Sequence, residues 1–210
     1  YVANVTVHGD TVDLGEPDVA WDESNLVWVV SYQRQFSVSD WDMYIQLLDQ
    51  NLNLVGAPII IDFTGSRWQN GRIANLGAYD RFLVVAEVRS GTNPVKVSGR
   101  TLDMVGTVAG TQFDIATSAV DELHPDVGGD CESAPTYWTV VWEHAFTATD
   151  HDIYARQVQS DTVLRGTGPT YIQTSTSNQT WPSISKSDGA APYADQRFTI
   201  VYQQTFNASD

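Results

Sequence analysis

Two stretches of the chain, "LVWVVSY" (26–32) and "YWTVVWE" (137–143), carry apolar side chains on consecutive positions rather than alternate ones. β-Branched and aromatic residues dominate both, which predicts short strands covered on both faces. "DMYIQLL" (42–48) and "DIYARQV" (152–158) follow as the next strands, "YVANVTV" (1–7) reads the same way, and "APIIID" and "PTYIQT" supply a further strand. Gly, Asn, Asp and Ser fill the gaps as turn formers. Nowhere do apolar positions recur at spacings of three and four, so no long helix is predicted.

The strands fall into a repeat. "EPDVAWDESNLVWVVSYQRQF", "HPDVGGDCESAPTYWTVVWEHAF" and "WPSISKSDGAAPYADQRFTIVYQQTF" each begin x-Pro-x-Val/Ile, pass through an acidic loop and end in an apolar strand closing on Phe. "NGRIANLGAYDRFLVVAEV" is a weaker copy. The markers Val19, Ile73, Val127 and Ile184 are separated by 54, 54 and 57 residues. Repeats of this length with about four short strands each predict β-propeller blades.

The repeat phase adds an expectation about closure. Phe36 precedes Asp40 and Tyr44 as Phe146 precedes Asp150 and Tyr154, whereas Phe206 precedes Asp210, and Tyr1 takes up the missing Tyr position. The expected fold is an all-β, four-bladed β-propeller in one domain. Its units are approximately 17–65, 71–116, 124–173 and 182–210 plus 1–14, and N-terminal strands complete the C-terminal half-blade.

The strand sequences resemble secreted bacterial β-propeller repeats of the TolB-like kind. Val140, Val141 and Trp142 match the "VVW" strand; Asp152, Ile153, Tyr154 and Ala155 match "DIYA", as Asp42, Met43 and Tyr44 do in part. The resemblance implies a propeller and carries no catalytic residue. The second unit departs from it, with Lys96 at the Asp position.

With 26 acidic and 11 basic residues the formal charge is −15, which disfavours nucleic acid and anionic membranes as partners. No apolar run is long enough to span a bilayer. The single cysteine, Cys131, cannot form an internal disulfide. The expected setting is extracellular or the cell surface.

Two groups of polar residues could carry chemistry. In the hairpin tips, Asp40 and Asp42 flank Trp41, and Asp150 and Asp152 flank His151. Such paired carboxylates either fix the turn or hold calcium with help from carbonyls and waters. Glu143, His144, Asp150 and His151 share one hairpin without the His spacing of a zinc site. In the innermost strands, Asp18, Arg72, Asp126 and Ser183 each precede a marker residue and so ring the axis. Two carboxylates there invite comparison with a glycosidase pair, while an Arg between them suits a hydrated, ion-paired lining. Trp41, Trp68 and Trp181 read as the exposed tryptophans that could stack on a sugar.

The leading functional reading is a non-catalytic secreted or cell-surface module that binds a protein or glycan ligand or acts as a spacer. A glycan-binding lectin is the alternative, and a polysaccharide-active hydrolase the next. Trp41, His151, Asp18, Arg72 and Asp126 are the ligand-binding candidates; Asp40, Asp42, Asp150 and Asp152 are the calcium candidates.

Overall fold

A computed structural model describes residues 5–7, 9, 11–62, 64–103, 108–130, 135–187 and 197–205. The described residues are all β apart from one 3₁₀ turn, Gly77–Tyr79, and all named sheets are antiparallel. The first sheet holds β1 (Leu14–Asp22), β2 (Val27–Ser37), β3 (Asp40–Asp49) and β4 (Leu54–Ile60) in chain order. A second holds β5 (Arg67–Leu76), β6 (Arg81–Arg89), β7 (Lys96–Asp103) and β8 (Val108–Ala116). The third holds β9 (Asp121–Gly128), β10 (Tyr137–Thr147), β11 (Asp150–Gln159) and β12 (Thr170–Gln173). β13 (Asn178–Ile184) and β14 (Ile200–Thr205) pair with each other only, among the described residues.

These sheets stack as blades. The first strands β1, β5, β9 and β13 touch in sequence and line a common axis. Consecutive apolar runs are explained by this stacking: Phe82, Val84, Ala86 and Val88 of β6 face blade 1, while Leu83 and Val85 face blade 3. In the third blade Val140 and Trp142 join the second core and Val141 the third. Burying a Val, Leu or Phe side chain contributes about 1.5–3 kcal/mol, so these two-sided strands are the main source of stability.

Close approach between blades needs glycine at two points. A Cβ on Gly129 would run into the Asn75 carbonyl, where Asp130 N–H donates to Asn75 O at 3.0 Å. One on Gly71 would run into the Met43 side chain.

The x-Pro-x-Val motif marks a bulge repeated in every first strand. Register shifts fall at Gly15/Asp18 and Gln69/Arg72, opposite Val141/Glu143 in β9, and at Thr180/Ser183. Glu16, Asn70, His124 and Trp181 sit there with φ of 46°, 51°, 47° and 54°. For His and Trp this left-handed backbone is strained, by roughly 1–3 kcal/mol, and must be held by its surroundings. Pro17, Pro125 and Pro182 follow three of them, supplying a fixed φ and no N–H to satisfy. Gly71 takes that place in blade 2.

Three expectations need correction or completion. Trp68 is fully buried, because its strand turns it into the core between blades 1 and 2. Of the "YVANVTV" segment the described residues Val5, Thr6 and Val7 are not in a strand and share a cavity with Leu14, Pro17, Val30 and Tyr32 of blade 1, and residues 1–4 lie outside the described residues. Tyr1, Cys131, Phe206 and Asp210 lie outside the described residues.

The seam between the last and first blades stands apart. Ile73, Val127 and Ile184 each pack against the preceding blade and are at most 4% exposed, whereas Val19 is 46% exposed and Val201 is 59%.

Candidate functional site

The tips of the β2–β3 and β10–β11 hairpins and the bulged starts of the first strands lie at one end of the molecule, since Arg34 and Gln33 face Leu14 and Gly15, and His144 faces Glu122. At this end the axis opens into a cavity of about 210 Å³. Asn70, Arg72, His124, Asp126, Trp181 and Ser183 line it with two prolines.

Three of the four left-handed bulge residues are held by a polar side chain of the preceding blade. Gln33 Oε1 accepts the N–H of Asn70 at 3.3 Å, Glu87 Oε1 that of His124 at 2.7 Å, and Glu143 Oε1 that of Trp181 at 3.2 Å. The bulge turns the N–H towards its neighbour, and the neighbour's second strand presents an acceptor. Glu143 is 1% exposed and also contacts His124 Nδ1 at 2.5 Å and His151 Nδ1 at 3.4 Å.

That pairing sets the charge. Burial resists ionisation of both groups, but the hydrogen bond and mutual charge of His124 and Glu143 outweigh it. His124, aided by Glu87, titrates above the ordinary histidine value, and Glu143 below the ordinary carboxylate value. The His124 ring stacks on Trp181 with centroids 3.7 Å apart, and Trp181 is 56% exposed.

Beneath the cavity lies an ion cluster. Asp18 Oδ2 accepts Ile73 N–H, and Asp126 Oδ2 accepts Ile184 N–H, both at 2.9 Å, so each carboxylate bonds to the next blade. Lys186 Nζ sits between them, 2.9 Å from Asp18 Oδ2 and 3.1 Å from Asp126 Oδ1. It also donates to the carbonyls of Ile73 and Val127. Ser183 Oγ and Val127 N–H complete the bonds to Asp126. Asp18 Oδ1 has no hydrogen bond among the described residues.

The structure therefore places Asp18, Arg72, Asp126 and Ser183 around the axis, with the cation between the two aspartates being Lys186. Arg72 Nη1 bonds the Gly71 carbonyl and lies 3.9 Å from Glu16. His151 comes to the site through Glu143. Trp41 stays on the blade 1 tip, opposite Gln35, and Asp40, Asp42, Asp150 and Asp152 remain in the hairpins.

Glu87, His124, Glu143, Trp181 and Lys186 complete the site. One signal for two of them lies in the sequence: Gln33, Glu87, Glu143 and Gln203 are polar residues at one repeat position, directly after the apolar strand core.

No family model and no curated protein matches the chain. Solved structures do. The chain is similar to a thermostable family-43 glycoside hydrolase at TM-score 0.52 and 11% identity, over 81% of this chain and 62% of that one. It is also similar to an α-L-arabinofuranosidase from Lactobacillus brevis at TM-score 0.55 and 10% identity, over 93% of this chain and 74% of that one. At these identities the likeness is one of fold, and the chain spans less than two thirds of the first structure. The non-catalytic binding or spacer module is overturned by this finding: the fold is one on which two glycoside hydrolases are built.

Proposed function

We propose that the chain is a polysaccharide-active glycoside hydrolase that holds a sugar unit in the axial cavity. The observation that carries this reading is the meeting of two carboxylates from different blades, Asp18 and Asp126, beneath a cavity with an exposed tryptophan face. Likeness to two glycoside hydrolases supports it.

Trp181 offers its face to the C–H groups of a sugar ring, and Arg72 and Asn70 offer donors to its hydroxyls. Glycoside hydrolysis needs one group to take a proton from water and another to give one to the leaving oxygen. Asp18, whose Oδ1 has no hydrogen bond among the described residues, takes the proton. His124, on the cavity wall and paired with the buried Glu143 behind it, supplies the other as the glycosidic C–O bond breaks. Asp126 and Lys186 fix the position and charge of Asp18.

An α-L-arabinofuranoside is the first substrate to test, because one structural neighbour acts on it. Release of 4-nitrophenol from its aryl α-L-arabinofuranoside, or of reducing ends from arabinan or arabinoxylan, supports the reading. Binding of these polysaccharides without release makes the protein a lectin. Neither binding nor release, from folded protein across a wider glycoside panel, overturns the sugar site. A polysaccharide substrate would place the protein outside the cell.

We propose that the fold is a closed ring of four blades. Supporting this, Val19 is exposed where its three equivalents are buried, and Gln203 occupies the latch position of Gln33, Glu87 and Glu143. On closure Gln203 would accept the N–H of Glu16, the fourth left-handed residue.

A further inference from the structure

The tip of blade 1 carries buried acid that the axial site does not use. Asp42 faces Arg34, and Asp40 faces Ser37, across the β2–β3 hairpin. Asp42 is 2% exposed, and its Oδ1 has no hydrogen-bond partner among the described residues. The buried Oδ1 of Asp40 has none either. The connection from β4 to β5 adds Asp62, 3% exposed, whose Oδ2 accepts the N–H of Thr64 at 3.1 Å and its hydroxyl at 2.8 Å. A cavity of about 240 Å³ opens between Phe36, Asp40, Asp42, Thr64 and Gly65.

Burial first, then the charges of Asp40 and Asp62, push the Asp42 carboxyl up to about 7, against the opposing pull of Arg34. Arg34 lies over the Phe36 ring, 4.6 Å from its centroid. The corresponding tips differ. In blade 3 the buried Oδ1 of Asp150 likewise has no hydrogen-bond partner among the described residues, but Asp152 Oδ1 accepts the Ser175 N–H at 3.1 Å, and His151 turns to Glu143. In blade 2 the aspartate is replaced by Lys96, paired with Asp114.

We propose that the blade 1 tip binds a divalent, oxygen-seeking cation of the calcium type through Asp40 and Asp42, with Asp62 adding negative charge behind them. Two buried carboxylate oxygens on one small cavity, without donors among the described residues, are oxygens that a hard cation satisfies. The donors are all oxygen, which excludes a preference for softer metals. Among the described residues no three His, Cys, Asp or Glu side chains already surround one point. The cation therefore draws two carboxylates together and completes its six to eight ligands with carbonyls and water. This narrows the calcium expectation from two tips to one.

The test is terbium luminescence on the full chain, since lanthanides take calcium's oxygen sites and Trp41 lies between Asp40 and Asp42 as an antenna. Calorimetric titration with calcium chloride provides a readout independent of the antenna. The expected result is saturable binding that calcium displaces, weakened at least tenfold in Asp40→Asn and Asp42→Asn and unchanged in Asp150→Asn, all with wild-type circular dichroism. No heat and no displaceable signal overturns the proposal. So does binding that persists in Asp42→Asn, or binding that only Asp150→Asn removes.

Discussion

Lys186 bridges 168 positions of sequence to bring its ammonium 2.9 Å from Asp18 Oδ2, and the same nitrogen lies 3.1 Å from Asp126 Oδ1. One cation thus ties blade 4 to blades 1 and 3 across the axis. Lys186→Met removes it and leaves two carboxylates facing each other. With the lysine 40% exposed, solvent screens part of the loss, and a destabilisation of about 1–2 kcal/mol is expected in urea unfolding. Adding Asp18→Asn should recover part of it, because the repulsion goes. Additive losses in the double variant would mean that the two residues do not interact.

Glu143 holds three donors of the site, so its replacements should separate charge from hydrogen bonding. Glu143→Ala leaves the Trp181 N–H and a charged His124 without their acceptor in a buried place, costing about 3 kcal/mol. Glu143→Gln keeps an acceptor for the Trp181 N–H and should cost clearly less. Equal losses for the two variants, measured by chemical denaturation, would show that the latch contributes nothing beyond the charge.

The shifted groups set a direction for stability against pH. His124 binds its proton more tightly folded than unfolded, so its contribution is complete below about pH 6.5 and is lost as pH rises through the raised value. Glu143 contributes above about pH 4.3, and this is lost as pH falls through its lowered value. Asp42, raised to about 7, binds a proton in the fold that the unfolded chain has released above about pH 4. Its effect is a stability that declines from about pH 4 to 7. Unfolding free energies measured in chelator between pH 4 and 8 should therefore fall with rising pH, and Asp42→Asn should flatten the decline below pH 7. Parallel profiles for the two proteins would rule out Asp42 as the source.

The proposed ring closure would make Val19, 46% exposed in the structure, an interface residue. Val19→Asp should then destabilise the protein by about 2 kcal/mol, the scale of a buried valine. A change below about 0.5 kcal/mol, as surface substitutions give, would leave the seam open.

Much of the fold is legible in the sequence because its causes are local and repeated. Two-sided strands need apolar runs, and "LVWVVSY" and "YWTVVWE" form β2 and β10; the x-Pro-x-Val step marks the bulge in three of the four first strands. Asp18, Arg72 and Asp126 could be placed on the axis by position alone. Lys186 could not, since its partners are fixed by where the strand after the bulge points a long side chain. The burial of Trp68 is not legible in the sequence, because a tryptophan at the start of an inner strand can turn into the core or out to solvent and the repeat does not encode which. Glu143 stood beside His144 and near His151 in sequence, yet its closest partner is His124, 19 residues upstream on the neighbouring strand of the same blade, and its contact across the blade interface is the Trp181 N–H.

The most direct test of the account compares kcat/KM on an aryl α-L-arabinofuranoside, or on whichever glycoside the wild-type chain cleaves best, for the wild type and Asp18→Asn. Removing a general base typically costs two to four orders of magnitude. A loss of at least a hundredfold in kcat is expected, with KM little changed and the unfolding transition retained. Wild-type turnover by folded Asp18→Asn protein would contradict it.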